Sequence, residues 1–127
     1  MTEAETLRVA VAQIAPVWLD REATITKVTQ WIEGAANDGC ALVAFGEALV
    51  PGYPFWLERT DAARFESPTQ KALYAHYLDQ AVDIGNNGLY RVQEAAADHG
   101  VHVVVGCIER AGDRGGATRC GRQAQGA

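Results

Sequence analysis

The stretch Gly39-Cys-Ala-Leu-Val-Ala-Phe-Gly-Glu-Ala-Leu-Val-Pro-Gly-Tyr-Pro-Phe-Trp56 holds an uninterrupted apolar run, Ala41 to Phe45, flanked by glycines. Such a run is the pattern of a strand buried on both faces of a parallel sheet. Gly46 ends it, and one carboxylate, Glu47, stands just past its carboxyl end, the edge at which open α/β sheets bind ligands. Pro51-Gly52 suits the central positions of a type II turn, and Pro54 holds Tyr53 extended, so the loop is expected to be rigid. A rigid frame around one acid is what a catalytic site needs. Taken by itself, though, a Glu after a strand is more often a solvated loop residue, because a single group fixes no site geometry.

Outward from this stretch the chain alternates between strands and helices. Leu7 to Ile14 is short, rich in branched residues and stopped by Pro16, which predicts a strand. Asp20 is an N-cap, and Ile25, Val28, Ile32 and Ala35 recur at helical spacing towards Gly39, a C′ position, which predicts a helix of about 17 residues. Ser67-Pro68 opens a second helix with Leu73, Tyr77 and Ile84 along one side, broken by Gly85-Asn-Asn-Gly88. A third helix carries Leu89, Val92 and Ala96 up to His99-Gly100, and Val101 to Ile108 forms a third strand. The order β-α-β-α-α-β implies crossovers and a parallel sheet, hence an α/β class.

Composition narrows the function classes. The 127 residues are 48% hydrophobic and 21% charged, close to globular averages. No apolar run approaches the ~20 residues that span a bilayer, and the acidic start Met1 to Glu5 is unlike a secretory signal, so a cytoplasmic protein without a membrane partner is expected. Residues 1–110 carry a net charge of −7, a surface that repels nucleic acid. Cys40, Cys107 and Cys120 lack the spacing of metal sites or of a disulfide framework. His99, His102 and Cys107 match no zinc pattern either. Neither a metal nor a cofactor is expected.

Three blocks, in order, carry a resemblance: Val9-Ala-Val-Ala-Gln-Ile-Ala-Pro-Val-Trp-Leu-Asp20, the segment around Glu47, and Val101-His-Val-Val-Val-Gly-Cys-Ile-Glu109. Together they resemble the nitrilase family of carbon-nitrogen hydrolases over residues 7–110. The continuation Pro51-Gly-Tyr-Pro-Phe-Trp56 looks more like true nitrilases than like the amidases or carbamoylases of that superfamily. The resemblance implies the amino-terminal part of an α-β-β-α sandwich bearing a Glu-Lys-Cys triad. A thiolate adds to the nitrile carbon, ammonia leaves, and water releases a carboxylic acid from the thioester. Glu47 matches the general base of that triad, and Tyr53 is a candidate pocket residue, while Trp56 is expected to pack.

The remaining triad positions have no match. A thiol of pKa near 8.5 loses its proton poorly to a carboxylate near 4.3, a gap of about four units or about 5.7 kcal/mol that burial and a neighbouring cation must close. Lys27 and Lys71, the two lysines of the chain, fall in predicted helices, away from strand ends. Cys40 precedes its strand on the edge opposite Glu47, and Cys107 lies within a strand, so both read as small buried thiols.

Residues 111–127 contain no Val, Ile, Leu, Met or aromatic residue, which predicts a disordered tail or one translated out of frame. A domain at 1–110 truncated in this way leaves one apolar sheet face uncovered, so self-association or a complementing chain is expected. The partner expected at the site is a small-molecule nitrile. Two other functions stay open: half of a split hydrolase, and a non-catalytic α/β binding module. The latter lacks a phosphate-binding glycine loop, since Gly85 to Gly88 joins two helices.

Overall fold

The computed structural model describes residues 4–59, 66–111 and 117–124. The apolar run becomes β2 (Leu42–Phe45), central between β1 (Val9–Ala12) and β3 (His102–Arg110), both parallel to it. In register, Val9 faces Leu42, Ala12 faces Phe45, and Val43 faces Val103. Side chains of a strand alternate between faces. Ala10, Ala12, Val43, Phe45, Val103, Val105 and Cys107 accordingly share one core with the helices.

That core is closed by α1 (Arg21–Asn37) and α4 (Tyr90–His99). Helix α1 starts because Asp20 accepts a hydrogen bond from the Ala23 N–H, and it ends at Gly39, whose φ of +77° suits a residue without Cβ. Its 17 residues bury Ile25, Val28, Ile32 and Ala35, the stripe expected from their spacing. Fully burying a Val or Ile side chain contributes roughly 1.5–3 kcal/mol relative to exposure. Helix α4 presents Val92 and Ala96 to the same core and ends at Gly100, also left-handed.

Three features depart from the sequence reading. A single-turn helix, α2 (Trp56–Arg59), is added after the loop. Helix α3 (Pro68–Gln80) begins as expected, with Ser67 accepting from the Gln70 N–H, but stops four residues short of Ile84. There Val82 is drawn extended against β3, its N–H donating to the Ile108 carbonyl at 2.7 Å and its carbonyl accepting from Arg110 N–H at 2.7 Å. Ile84 then lies in a 3-10 turn over Ile84–Asn86 capped by Asp83.

The third difference concerns the tail, where Ala117–Ala124 forms β4, antiparallel to β3 and paired from Val103–Ala124 to Arg110–Ala117. A strand at the sheet edge draws its pairing from main-chain hydrogen bonds, so a segment without Val, Ile, Leu, Met or aromatic residues can pair. Residues 117–124 of the tail expected to be disordered or out of frame thus lie beside β3, and 112–116 and 125–127 lie outside the described residues.

The opposite sheet face carries Val9, Val11, Leu42, Ala44, His102 and Val104, and no described helix covers it. Val11 is 81% exposed and Val9 50%. Among the described residues, no helix is long and apolar enough to cross a membrane.

Candidate active site

The loop leaving β2 goes out at Gly46 and returns to the sheet at Val50. Val50 N–H donates to the Gly106 carbonyl at 3.2 Å, and Ile108 N–H donates to the Val50 carbonyl at 2.8 Å. Glu47 is exposed at the crest of this excursion, followed by Ala48, which is buried at a φ of +53°. The excursion is seated directly on Gly106 of β3. A Cβ there would lie 2.4 Å from the Gly46 carbonyl oxygen, 2.8 Å from Ala48 N and 2.8 Å from Glu47 Cα. Glycine inside a strand marks such a close backbone approach.

Beyond Val50 the loop departs from the expected type II turn. The Val50–Pro51 peptide is cis, and Gly52 adopts φ +128°, where that turn requires about +80°. The segment after β1 closes over it, with Leu19 N–H donating to the Pro51 carbonyl at 3.1 Å and the Trp18 ring seated against Gly52. Helix α3 fixes this segment from outside through a 3.0 Å hydrogen bond between His76 Nε2 and the Leu19 carbonyl. An aromatic chain runs on from Trp18 to Phe55 at 4.9 Å, Phe55 to Trp56 at 6.1 Å and Trp56 to Tyr77 at 4.9 Å. Trp56 is buried in this chain, as expected for a packing residue.

Between the two segments opens a cleft of about 410 Å³ whose lining includes Glu47, Tyr53, Trp18, Ile14 and Leu49. Glu47 and Tyr53 are therefore brought together, and Trp18 joins them. Trp18 carries no chemistry-bearing pattern in the sequence beyond its place after Pro16. Neither lysine lines the cleft. Lys27 donates from α1 to the Ala15 carbonyl at 2.6 Å, and Lys71 pairs with Glu66.

Cys107 is buried in the core and Cys40 is partly buried against it. Strand alternation also puts His102 and Cys107 of β3 on opposite faces. Among the described residues no group of three His, Cys, Asp or Glu could hold a metal.

A larger cleft, about 650 Å³, lies where α1, α4 and the end of β3 meet. Its charges are largely committed to one another: Arg21 and Arg91 pair with Glu22 at 3.2 and 3.6 Å, and Asp83 caps the 3-10 turn. The apolar cleft holding Glu47 is the better candidate, because there one acid meets aromatic walls at the carboxyl edge of the sheet.

A mostly parallel sheet that carries an acid and a cleft at this edge defines an α/β protein with its candidate site in the loops after its strands. The chain belongs to the carbon-nitrogen hydrolase family, which it matches over residues 8–122. It is 37% identical over 113 residues to an arylacetonitrilase of Aspergillus niger, covering 89% of this chain and 32% of that protein. Similar matches join it to an aliphatic nitrilase of Rhodococcus rhodochrous (36% identity, 84% of this chain, 28% of that protein) and a nitrilase of Pseudomonas syringae (39%, 84% and 30%). The chain thus spans about a third of the length of the curated relatives it matches.

Among solved structures, an amidase from Nesterenkonia sp. superposes with a TM-score of 0.61 at 18% identity, over 94% of this chain and 38% of that one. A variant of that amidase in complex with acrylamide gives 0.63 at 16% identity, over 98% and 40%. At this identity the likeness shows the fold, that of the nitrilase superfamily.

Proposed function

We propose that the chain supplies the general base, Glu47, and one wall of the substrate cleft to a nitrilase that converts a nitrile into a carboxylic acid and ammonia. The observation that supports this is the seating of Glu47: a backbone excursion set closely on Gly106 puts Glu47 in the lining of an apolar cleft at the carboxyl edge of the sheet. The nitrilases among its relatives support the nitrile as substrate. Glu47 takes the proton of a cysteine thiol as the sulfur adds to the nitrile carbon, and later takes a proton from the water that cleaves the thioester. No cofactor enters this chemistry. The lysine and the nucleophilic cysteine come from outside these 127 residues, either from further chain or from a complementing one, and the chain alone is inactive. Their arrival also covers the exposed sheet face at Val9 and Val11, which otherwise drives copies of the chain together.

Ammonia release from aromatic and aliphatic nitriles tests the proposal, measured on the chain alone and again with the downstream or complementing polypeptide. Activity is expected from the combination only, and Glu47→Gln is expected to abolish it. An undiminished rate in that variant ends the assignment of the base.

A further inference from the structure

We infer that Trp18 determines which nitriles the Glu47 cleft accepts, and that the cleft takes an uncharged nitrile carried on a flat aromatic group. The inference rests on the hydrolase reading above for its substrate class, and on independent geometry for its residue.

Trp18 is held before any ligand arrives. Its ring lies against Gly52 so closely that a Cβ on that glycine would sit 2.8 Å from Trp18 Cε3 and 3.1 Å from Cζ3. Phe55 meets the ring edge-on, with centroids 4.9 Å apart and planes at 66°. Yet Trp18 remains 50% exposed, and Tyr53, which lines the same cleft, remains 51% exposed. Fixed aromatic surface left open to solvent inside a concave site is preorganised contact area, and a ligand that stacks on it loses little conformational freedom of the protein.

The size and charge of the cleft choose the ligand. About 410 Å³ is within the range of small-molecule sites. Trp18 and Tyr53 are the half-exposed rings among its walls, whereas Leu49 is only 4% exposed, so the open apolar surface of the cleft is largely aromatic. Among the described residues that line the cleft there is no Lys, Arg or His, so nothing there would hold a negatively charged substrate group. A nitrile with an aromatic ring places that ring against Trp18 and Tyr53 and leaves its CN carbon on the Glu47 side, where the incoming thiolate would attack.

Binding tests this without catalysis. The chain labelled with fluorotryptophan carries three reporters, Trp18, Trp31 and Trp56, and is titrated with phenylacetonitrile and separately with butyronitrile while affinities are read by equilibrium dialysis. Phenylacetonitrile is expected to shift the Trp18 fluorine signal saturably and to bind about three- to tenfold more tightly than butyronitrile. Trp31, half-exposed on α1, should stay still. Trp18→Leu should erase the preference, Trp18→Phe should retain most of it, and Gly52→Ala, which displaces the ring without removing any aromatic group, should weaken it.

The inference is overturned if Trp18 does not respond, if Trp31 responds equally, or if Trp18→Leu keeps the preference. None of these outcomes depends on ammonia release, so a failed Glu47→Gln test would count against the hydrolase reading and leave the binding result standing.

Discussion

Replacing Gly106 with alanine places a methyl carbon 2.4 Å from the Gly46 carbonyl oxygen and 2.8 Å from both Ala48 N and Glu47 Cα. All three obstacles are main chain, so no side-chain rotation relieves them. To bring even the worst contact to 3.0 Å, the shortest that real Cβ atoms show, the excursion must retreat by about 0.6 Å. Two bonds to Val50, at 3.2 and 2.8 Å, resist that retreat. Overpacking of this kind costs about 1–3 kcal/mol. At about 4–8 °C per kcal/mol for a domain of this size class, Tm should fall by roughly 5–20 °C.

The same retreat moves Glu47 off its position, and a misplacement approaching 1 Å costs about a hundredfold in rate. In the assembled enzyme the loss should fall mainly on kcat for ammonia release, with a smaller rise in KM, because Ala48 and Leu49 move with the excursion while Trp18, Ile14 and Tyr53 stay in place. Gly34→Ala supplies the control: nothing lies within 4 Å of its added Cβ, and alanine here in the last turn of α1 should stabilise by up to about 0.5–1 kcal/mol. If Gly106→Ala melts and turns over like the unaltered protein while Gly34→Ala behaves as stated, the seating of Glu47 on β3 is wrong.

Asp20→Ala removes the side chain that accepts from Ala23 N–H at 3.0 Å and should cost about 0.5–2 kcal/mol in chemical denaturation, with Asp20→Ser recovering most of it. Equal stability of the two variants would show that α1 does not depend on this cap. Val11→Lys puts a charge on the 81% exposed position of the uncovered sheet face. Sedimentation should show less self-association than for the unaltered chain, with stability changed by no more than about 0.5 kcal/mol. An unaltered chain that is already monomeric would remove the basis for this expectation.

The parts legible in the sequence are those in which local chemistry and tertiary packing demand the same thing. Asp20 and Gly39 bracket α1 because capping and left-handed backbone are local requirements, and the Ile25-Val28-Ile32-Ala35 stripe records the core it faces. Ser67-Pro68 announces the start of α3 for the same reason. The end of α3 was hidden, since the helical spacing reaches Ile84 while a non-local bridge from Val82 to Glu109 takes the chain away first. Strand β4 was hidden more completely, because a ladder of main-chain bonds needs no apolar signature. At the site, Glu47 stands out as an acid after a buried strand. Trp18 does not, since its role depends on Gly52, 34 positions further along the chain, being close enough to carry its ring.

The exposure of Glu47 and of the sheet face at Val11 are connected through what the proposed reaction needs. Proton transfer from a thiol to a carboxylate in water runs about four pKa units uphill; removing water from the acid raises its pKa, a cation beside the sulfur lowers that of the thiol, and together these close such a gap. The cleft walls described here, Trp18, Ile14, Leu49 and Tyr53, border the acid without enclosing it. On the proposed reading, the residues that bring the lysine and the cysteine must therefore also exclude the solvent. Assembly and catalysis then form a single event: any arrangement that supplies the nucleophile but leaves Glu47 in water should bind nitriles and release no ammonia.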